Sequence, residues 1–195
     1  MSKIKTATAT VRGLTPGLLM HRWAENDEAE APTRLVNEDR GTARDQAERS
    51  AYRAPDGTLY VPAQCFQRLL IESGKPHKQR GSRSSLRWVV PAAVIVTAEA
   101  ITLADSKGKP LTDFEVDSRP VVIPATKGRV MRHRPKVEEW QASIPLEVDT
   151  DILPTSMIHQ LLEEGGRRLG IGDYRPEKTG PYGRFAIVSW EDGEG

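Results

Sequence analysis

The sequence holds a single cysteine, Cys65, among its 195 residues. One thiol excludes an intramolecular disulfide and any cysteine-rich metal site. Cys65 falls within an apolar helical pattern, which predicts a buried, inert side chain. Long apolar runs are also missing. None approaches the roughly 20 residues that a membrane helix needs, so no membrane partner is expected. The opening stretch, MSKIKTATATVRG, lacks an apolar signal region, which predicts a cytoplasmic location. No HxxxH or paired-carboxylate spacing occurs. Asp105, Asp113, Asp117 and Asp173 are scattered, so neither a metal nor any other cofactor is expected. No internal repeat is found.

Acids are missing from three particular stretches, although the net charge is only +1. Residues 1–23 carry Lys3, Lys5, Arg12 and Arg22. Residues 75–87 carry Lys75, Lys78, Arg80, Arg83 and Arg87. Residues 127–136 carry Lys127, Arg129, Arg132, Arg134 and Lys136. The acids concentrate in 25–48 and in the EDGEG tail. Segregated charge at near-zero net charge predicts a basic surface, the electrostatic footprint of a polyanion partner. His77 and His133 lie inside these runs and belong to the same surfaces.

A composition of 37% hydrophobic and 28% charged residues fits a globular chain. Its length favours one domain spanning 1–195, with an insertion. IKTATATVRG (4–13) alternates as a strand does, with Ala7, Ala9 and Val11 toward the core and threonines on the other face. Residues 24–57 are hydrophilic and read as an excursion with a short helix at 42–51. Pro62 opens a helix over 62–73, which Gly74 ends as a left-handed cap. Residues 89–103 read as a central strand, 118–124 as a short strand, and 136–149 as a strand broken at Ile144-Pro145. Asp151 and Thr155 are both candidate caps for a second helix. Its stripe of Ile158, Leu161, Leu162 and Leu169 includes Gly165 and Gly166, which favour close packing on a sheet. His159 on this helix is read as structural. All four tryptophans are expected in the core. Trp88, which follows arginines and serines, is the one whose context also suits stacking.

GIGDYRPEKTGPYGRFAIVSW (170–190) joins that helix to the last strand. It brings together four glycines, Tyr174, Tyr182, Arg175, Lys178 and Arg184. Glycines let backbone N–H groups approach an anion, arginines bind phosphate bidentately, and tyrosines stack on bases. Gly172, Tyr174, Arg175, Lys178, Gly180, Tyr182 and Arg184 are therefore candidate nucleic-acid contacts, together with His21, Arg22, Lys75, Lys78, Arg80, Arg83, Arg87, Lys127, Arg129, Arg132 and Arg134. The competing reading is a structural loop in which Tyr182 packs on the core. The element order is βαββαβ, an α+β, ferredoxin-like antiparallel sheet with two helices on one face.

Two segments resemble the RAMP superfamily, the RNA-recognition-motif-like proteins of CRISPR systems. LYVPAQCFQRLLIES keeps Tyr60, Val61, Pro62 and the apolar helix positions of a family element, with Ala63, Gln64 and Cys65 where the family has Gly-Ser-Ser. Gly170, Gly172, Gly180, Gly183 and Phe185 match the family's glycine-rich loop. The resemblance implies a non-catalytic subunit that binds single-stranded RNA, or single-stranded DNA. It further implies a homo-oligomer, or a repeated subunit assembled along a guide RNA, with 24–57 as a thumb-like insertion. Two other readings stand beside it. One is a metal-independent endoribonuclease with His21 as general acid and base, since some members of the superfamily cleave RNA. The other is a phage structural or interaction protein that binds no nucleic acid.

Overall fold

The computed structural model describes residues 4–22, 41–79, 81–122 and 127–193. In chain order the elements are β1 (Ile4–Gly13), β2 (Leu18–Leu19), α1 (Ala43–Arg49), β3 (Tyr60–Pro62), α2 (Ala63–Ser73) and α3 (Val90–Ala93). There follow β4 (Val94–Val96), β5 (Ala100–Thr102), β6 (Glu115–Val122), β7 (Arg129–Val137), β8 (Gln141–Asp149), α4 (Thr155–Arg168) and β9 (Phe185–Asp192). The main sheet is antiparallel, in the order β4-β8-β1-β9. The chain is α+β with antiparallel sheets, as its patterns predict.

The alternation of β1 places Ala7, Ala9 and Val11 in the core, where their small side chains leave room for the helices. Phe66, Leu69 and Leu70 of α2 and Ile158, Leu161 and Leu162 of α4 bury the matching stripes. Gly165 and Gly166 do pack closely, but against two different elements. A Cβ at Gly165 would collide with Leu69 and Ser73 of α2, and one at Gly166 with Phe185 of β9. α4 thus lies close against α2 at Gly165 and against β9 at Gly166.

Several expectations are corrected. Residues 89–103 do not form one central strand. Pro91 sits in the short helix α3, and the apolar run then splits into β4, an edge of the main sheet, and β5, which pairs with β3. The stretch 136–149 is two strands, the end of β7 and β8. Pro145 lies inside β8 opposite Thr8, and its carbonyl still accepts from Thr97 N–H. The cap of α4 is Pro154, with Thr155 as the first helical residue. Gly74 ends α2 in the right-handed region, at φ −70. Its value lies in clearance, since a Cβ there would come within 2.8 Å of Arg87 N.

A second sheet, β2-β7-β6, is absent from the sequence reading. Its main feature is the β6–β7 hairpin. Within 24–57, residues 24–40 fall outside the described part. The described remainder folds as α1 and a turn, with Ala47 and Ala51 buried in the core. It is tied to the foot of β6. Arg44 lies 3.9 Å over the Phe114 ring and donates to Phe114 O at 2.6 Å, and Arg53 donates to Thr112 O at 2.8 Å.

Candidate nucleic-acid interface

The glycine-rich loop runs between α4 and β9 and is stapled to the turn after β1. Asp173 N–H donates to Leu19 O at 2.8 Å, Gly183 N–H to Gly17 O at 2.8 Å, and Leu14 N–H to Arg184 O at 2.8 Å. Gly172 has φ +74, a region that disfavours side chains. A Cβ at Gly180 would collide with the Tyr174 carbonyl. Both candidate glycines therefore shape the loop itself.

Two of the loop's three cations are engaged within the chain. Arg175 donates through Nη1 to Gly172 O at 2.8 Å and through Nε to Glu177 Oε2 at 3.0 Å. Arg184 Nη2 reaches Thr15 O at 3.3 Å. Lys178 is exposed, with no ion-pair partner among the described residues. Tyr182 is only 8% exposed, whereas Tyr174, 6.2 Å from it between ring centroids, is 38% exposed. Of the two tyrosines, Tyr174 alone presents much of its ring to solvent.

Arg119, which sequence reasoning missed, binds this loop to the hairpin. It lies 5.3 Å over the Tyr174 ring and 5.0 Å over the Tyr182 ring. Asp117 holds its guanidinium from the same strand, with Nε donating to Oδ2 at 2.6 Å. The Asp117 carboxylate, aided by the Tyr182 hydroxyl, pushes the Arg119 pKa above its already high value, so the side chain is permanently cationic. The signal was the alternation Asp117, Arg119, Val121. In the β6–β7 register these residues face Arg134, Arg132 and Val130.

The same face of the hairpin carries Arg134, whose Nε lies 2.6 Å from Asp173 Oδ2. The N–H is not aimed at the oxygen, so the link is ionic rather than a directed hydrogen bond. Arg132, opposite Arg119, is exposed. Lys127 and Arg129 are exposed at the start of β7. None of these three has an ion-pair partner among the described residues. On the other face His133 Nδ1 shares a 2.7 Å hydrogen bond with Ser118 Oγ.

The run 75–87 occupies a different place, at the C-terminal end of α2. Lys75 and Arg87 both bind the buried carboxylate of Glu72, Arg87 at 3.0 Å. His77 Nε2 is 3.1 Å from Glu164 of α4. Lys78 and Arg83 are exposed, and Arg80 lies outside the described residues. Trp88 overturns the core expectation. It is 73% exposed, while Trp140 is buried. Trp190 is half-buried beside His159, 5.1 Å away between ring centroids, and Trp23 lies outside the described residues.

Between the loop and the helix lies a cleft of about 280 Å³, lined by Leu18, Met20, His21, Val61, Cys65, Arg68, Leu69, Glu72, Ile171, Asp173 and Arg175, among others. That is close to the lower limit of ligand-pocket sizes, roughly 300 Å³. Cys65, Arg68, Leu69 and Glu72 reach it because their spacing puts them on one face of α2. Burial pushes the Cys65 thiol and the Tyr52 hydroxyl up. The cleft brings together His21, Arg175 and Glu72. Arg22 is exposed just beyond it in the chain. No group of three or more potential metal ligands occurs among the described residues.

The open face of the main sheet is a poor site for a polyanion. Thr6, Thr8, Thr10 and Arg12 of β1 face Glu147, Pro145, Ser143 and Gln141 of β8, and Thr8 faces Glu191 of β9. Acids lie along it, and no aromatic residue occupies these paired positions. The charge and aromatic groups that nucleic acid requires are on the loop, the hairpin and the end of α2.

No protein-family model matches the chain, and no curated protein does. Solved structures do match. A chain in the cryo-EM structure of the Type III-B Cmr-beta bound to cognate target RNA aligns with a TM-score of 0.58 and 12% identity, over 97% of this chain and 61% of that one. The chain thus spans about 61% of the length of that relative. Cmr6 from Pyrococcus furiosus aligns at a TM-score of 0.48 and 11% identity, over 96% of this chain and 100% of that one. At 12% identity the likeness to the first of these shows a shared fold alone.

Proposed function

We propose that the chain is a RAMP-like subunit that binds single-stranded RNA without sequence preference, within a CRISPR-type ribonucleoprotein. The four strands of its main sheet, taken in chain order, are arranged fourth-first-third-second, which we assign to the ferredoxin-like pattern. The observation that carries the functional reading is the β6–β7 hairpin. Its cations Lys127, Arg129 and Arg132 are exposed and have no acidic partners among the described residues, and the hairpin is locked by Arg119 and Arg134 onto the glycine loop. The fold likeness to a chain in an RNA-bound complex supports the same reading.

The mechanism is capture of the sugar-phosphate backbone. Unpaired cations release counterions from the strand and supply affinity. Lys178 and the exposed edge of Tyr174 extend that contact at the loop. Arg175 and Arg184 shape the loop that the strand passes. Base identity is left to pairing, and catalysis plays no part. The 24–57 insertion acts as the contact to a neighbouring copy or subunit.

The test is binding of the purified chain to single-stranded oligonucleotides across a salt series. Each lost phosphate contact lowers the log–log salt slope by about 0.7 for single strands. Arg129→Ala with Arg132→Ala should flatten it by one to two such contacts, about equally for different sequences. Parallel RNA and DNA strands distinguish the two polymers. Absence of salt-dependent binding to either sinks the proposal.

A second reading is favoured by one observation: His21 lines the cleft together with Arg68 and Arg175. It makes the chain a metal-independent endoribonuclease. Cleavage of labelled hairpin RNA in EDTA, lost in His21→Ala, is its required result.

A further inference from the structure

Trp88 is exposed by design of the surrounding backbone. Two residues to either side, Leu86 and Val90 are both buried, so the main chain is anchored around it. Ser85 caps the short 3₁₀ turn Leu86–Trp88, accepting from Arg87 N–H at 3.2 Å. The same hydroxyl lies 3.1 Å from Gly74 O and 3.0 Å from Lys75 O. Gly74 leaves the space that this turn fills. A large indole held 73% in water from so fixed a base is unfavourable on its own account.

The surroundings of Trp88 are cationic. Arg87 lies 5.5 Å over its ring and is tied to Glu72. A tight hairpin, closed by Leu86 N–H donating to His77 O and Gln79 N–H to Ser84 O, presents Lys78 and Arg83. The nearby acid Glu72 is consumed by Lys75 and Arg87. Glu72 also lines the cleft that starts at the glycine loop. The cleft therefore runs along α2 from the loop to Glu72, the carboxylate that Arg87 binds.

We infer that Trp88 is a stacking platform for one unpaired base of a single strand, whose flanking phosphates lie on Lys78 and Arg83. An aromatic face with cations beside it matches the two chemical parts of a nucleotide, and stacking tolerates any base. This makes a second contact point, apart from the loop and the hairpin, and it rests on the single-strand reading proposed above.

The experiment compares an oligouridylate with an abasic strand of equal length. Trp88→Ala should weaken the oligouridylate roughly 5- to 150-fold and leave the abasic strand unchanged. Trp88→Phe should keep most of the affinity. Lys78→Ala with Arg83→Ala should weaken both strands alike, because phosphates are common to them. The inference is overturned if the native chain binds the oligouridylate and Trp88→Ala binds it equally well. It is also overturned if Trp88→Ala alters only the oligomeric mass, which would make the occupant a protein. If the native chain binds neither strand, the single-strand reading fails, and this inference with it.

Discussion

Arg119 of β6 donates through Nη2 to the Tyr182 hydroxyl at 2.7 Å. This bond crosses from the hairpin to the glycine-rich loop, between residues 63 positions apart. Arg119→Ala removes a charge-assisted donor and leaves the largely buried Asp117 without its partner. Bonds to charged groups contribute about 1.5–3 kcal/mol, so the variant should lose stability of that order in urea unfolding. Arg119→Lys should recover only part of it, because an ammonium lacks the planar fork that meets Asp117 in two places. A variant as stable as the native chain would mean that the hairpin is held elsewhere, through Arg134 and Asp173.

The loop arginines carry a different expectation from the hairpin arginines. Arg175 is bound to Gly172 O and Glu177, both within its own loop. Arg175→Ala should therefore open the loop before it alters any surface charge. The expected signature is faster hydrogen exchange at the Ile171 and Gly183 amides, which donate to Gly183 O and Gly17 O. Loss of strand affinity with unchanged exchange would instead make Arg175 a direct contact.

How much of this was legible in the sequence follows from which faces meet water. β1 shows a clean alternation because one of its faces is core and the other open. The stripes of α2 and α4 are legible for the same reason. The hairpin was not. RVMRHRPKV shows no apolar alternation, because one face of β7 packs on a polar loop through Arg134 and Asp173. The glycine loop was recognised, but not the direction of its side chains. Arg175 and Arg184 find backbone carbonyls as readily as they would phosphate oxygens, and sequence spacing does not distinguish the two. Trp88 was assigned to the core on residue type. Its exposure depends on Leu86 and Val90 taking the buried positions on either side.

Acid should loosen the end of α2. The bond from Lys75, with the nearby Arg87 charge, holds the Glu72 carboxyl below its ordinary value of 4.5. The unfolded chain takes up this proton near 4.5, whereas the folded chain resists it to lower pH. The contribution is therefore complete above 4.5 and is lost as pH falls through the folded-state value. Glu72→Gln should be less stable than the native chain at neutral pH, and the gap should close below 4.5. Urea midpoints across that range provide the measurement. A gap that stays constant would show that the amide keeps the contacts of the carboxylate, and that charge at Glu72 is immaterial.

A side chain of α4 guards the outer edge of the main sheet at β9. β9 ends the strand order, so some of its backbone groups have no neighbouring strand. Glu163 of α4 accepts from Ile187 N–H at 3.0 Å and is itself held by Arg167 at 2.8 Å. A carboxylate on an edge amide occupies a donor that a second chain needs for pairing. Glu163→Ala exposes that donor and removes a negative charge beside Val188, which is 44% exposed. The variant should self-associate at protein concentrations where the native chain keeps its ordinary mass, as read by light scattering. Added pairing through β9 should also slow exchange at Ile187. If mass and exchange are both unchanged, the edge is protected by the twist and shortness of its exposed part, and Glu163 serves only to seat α4 on β9.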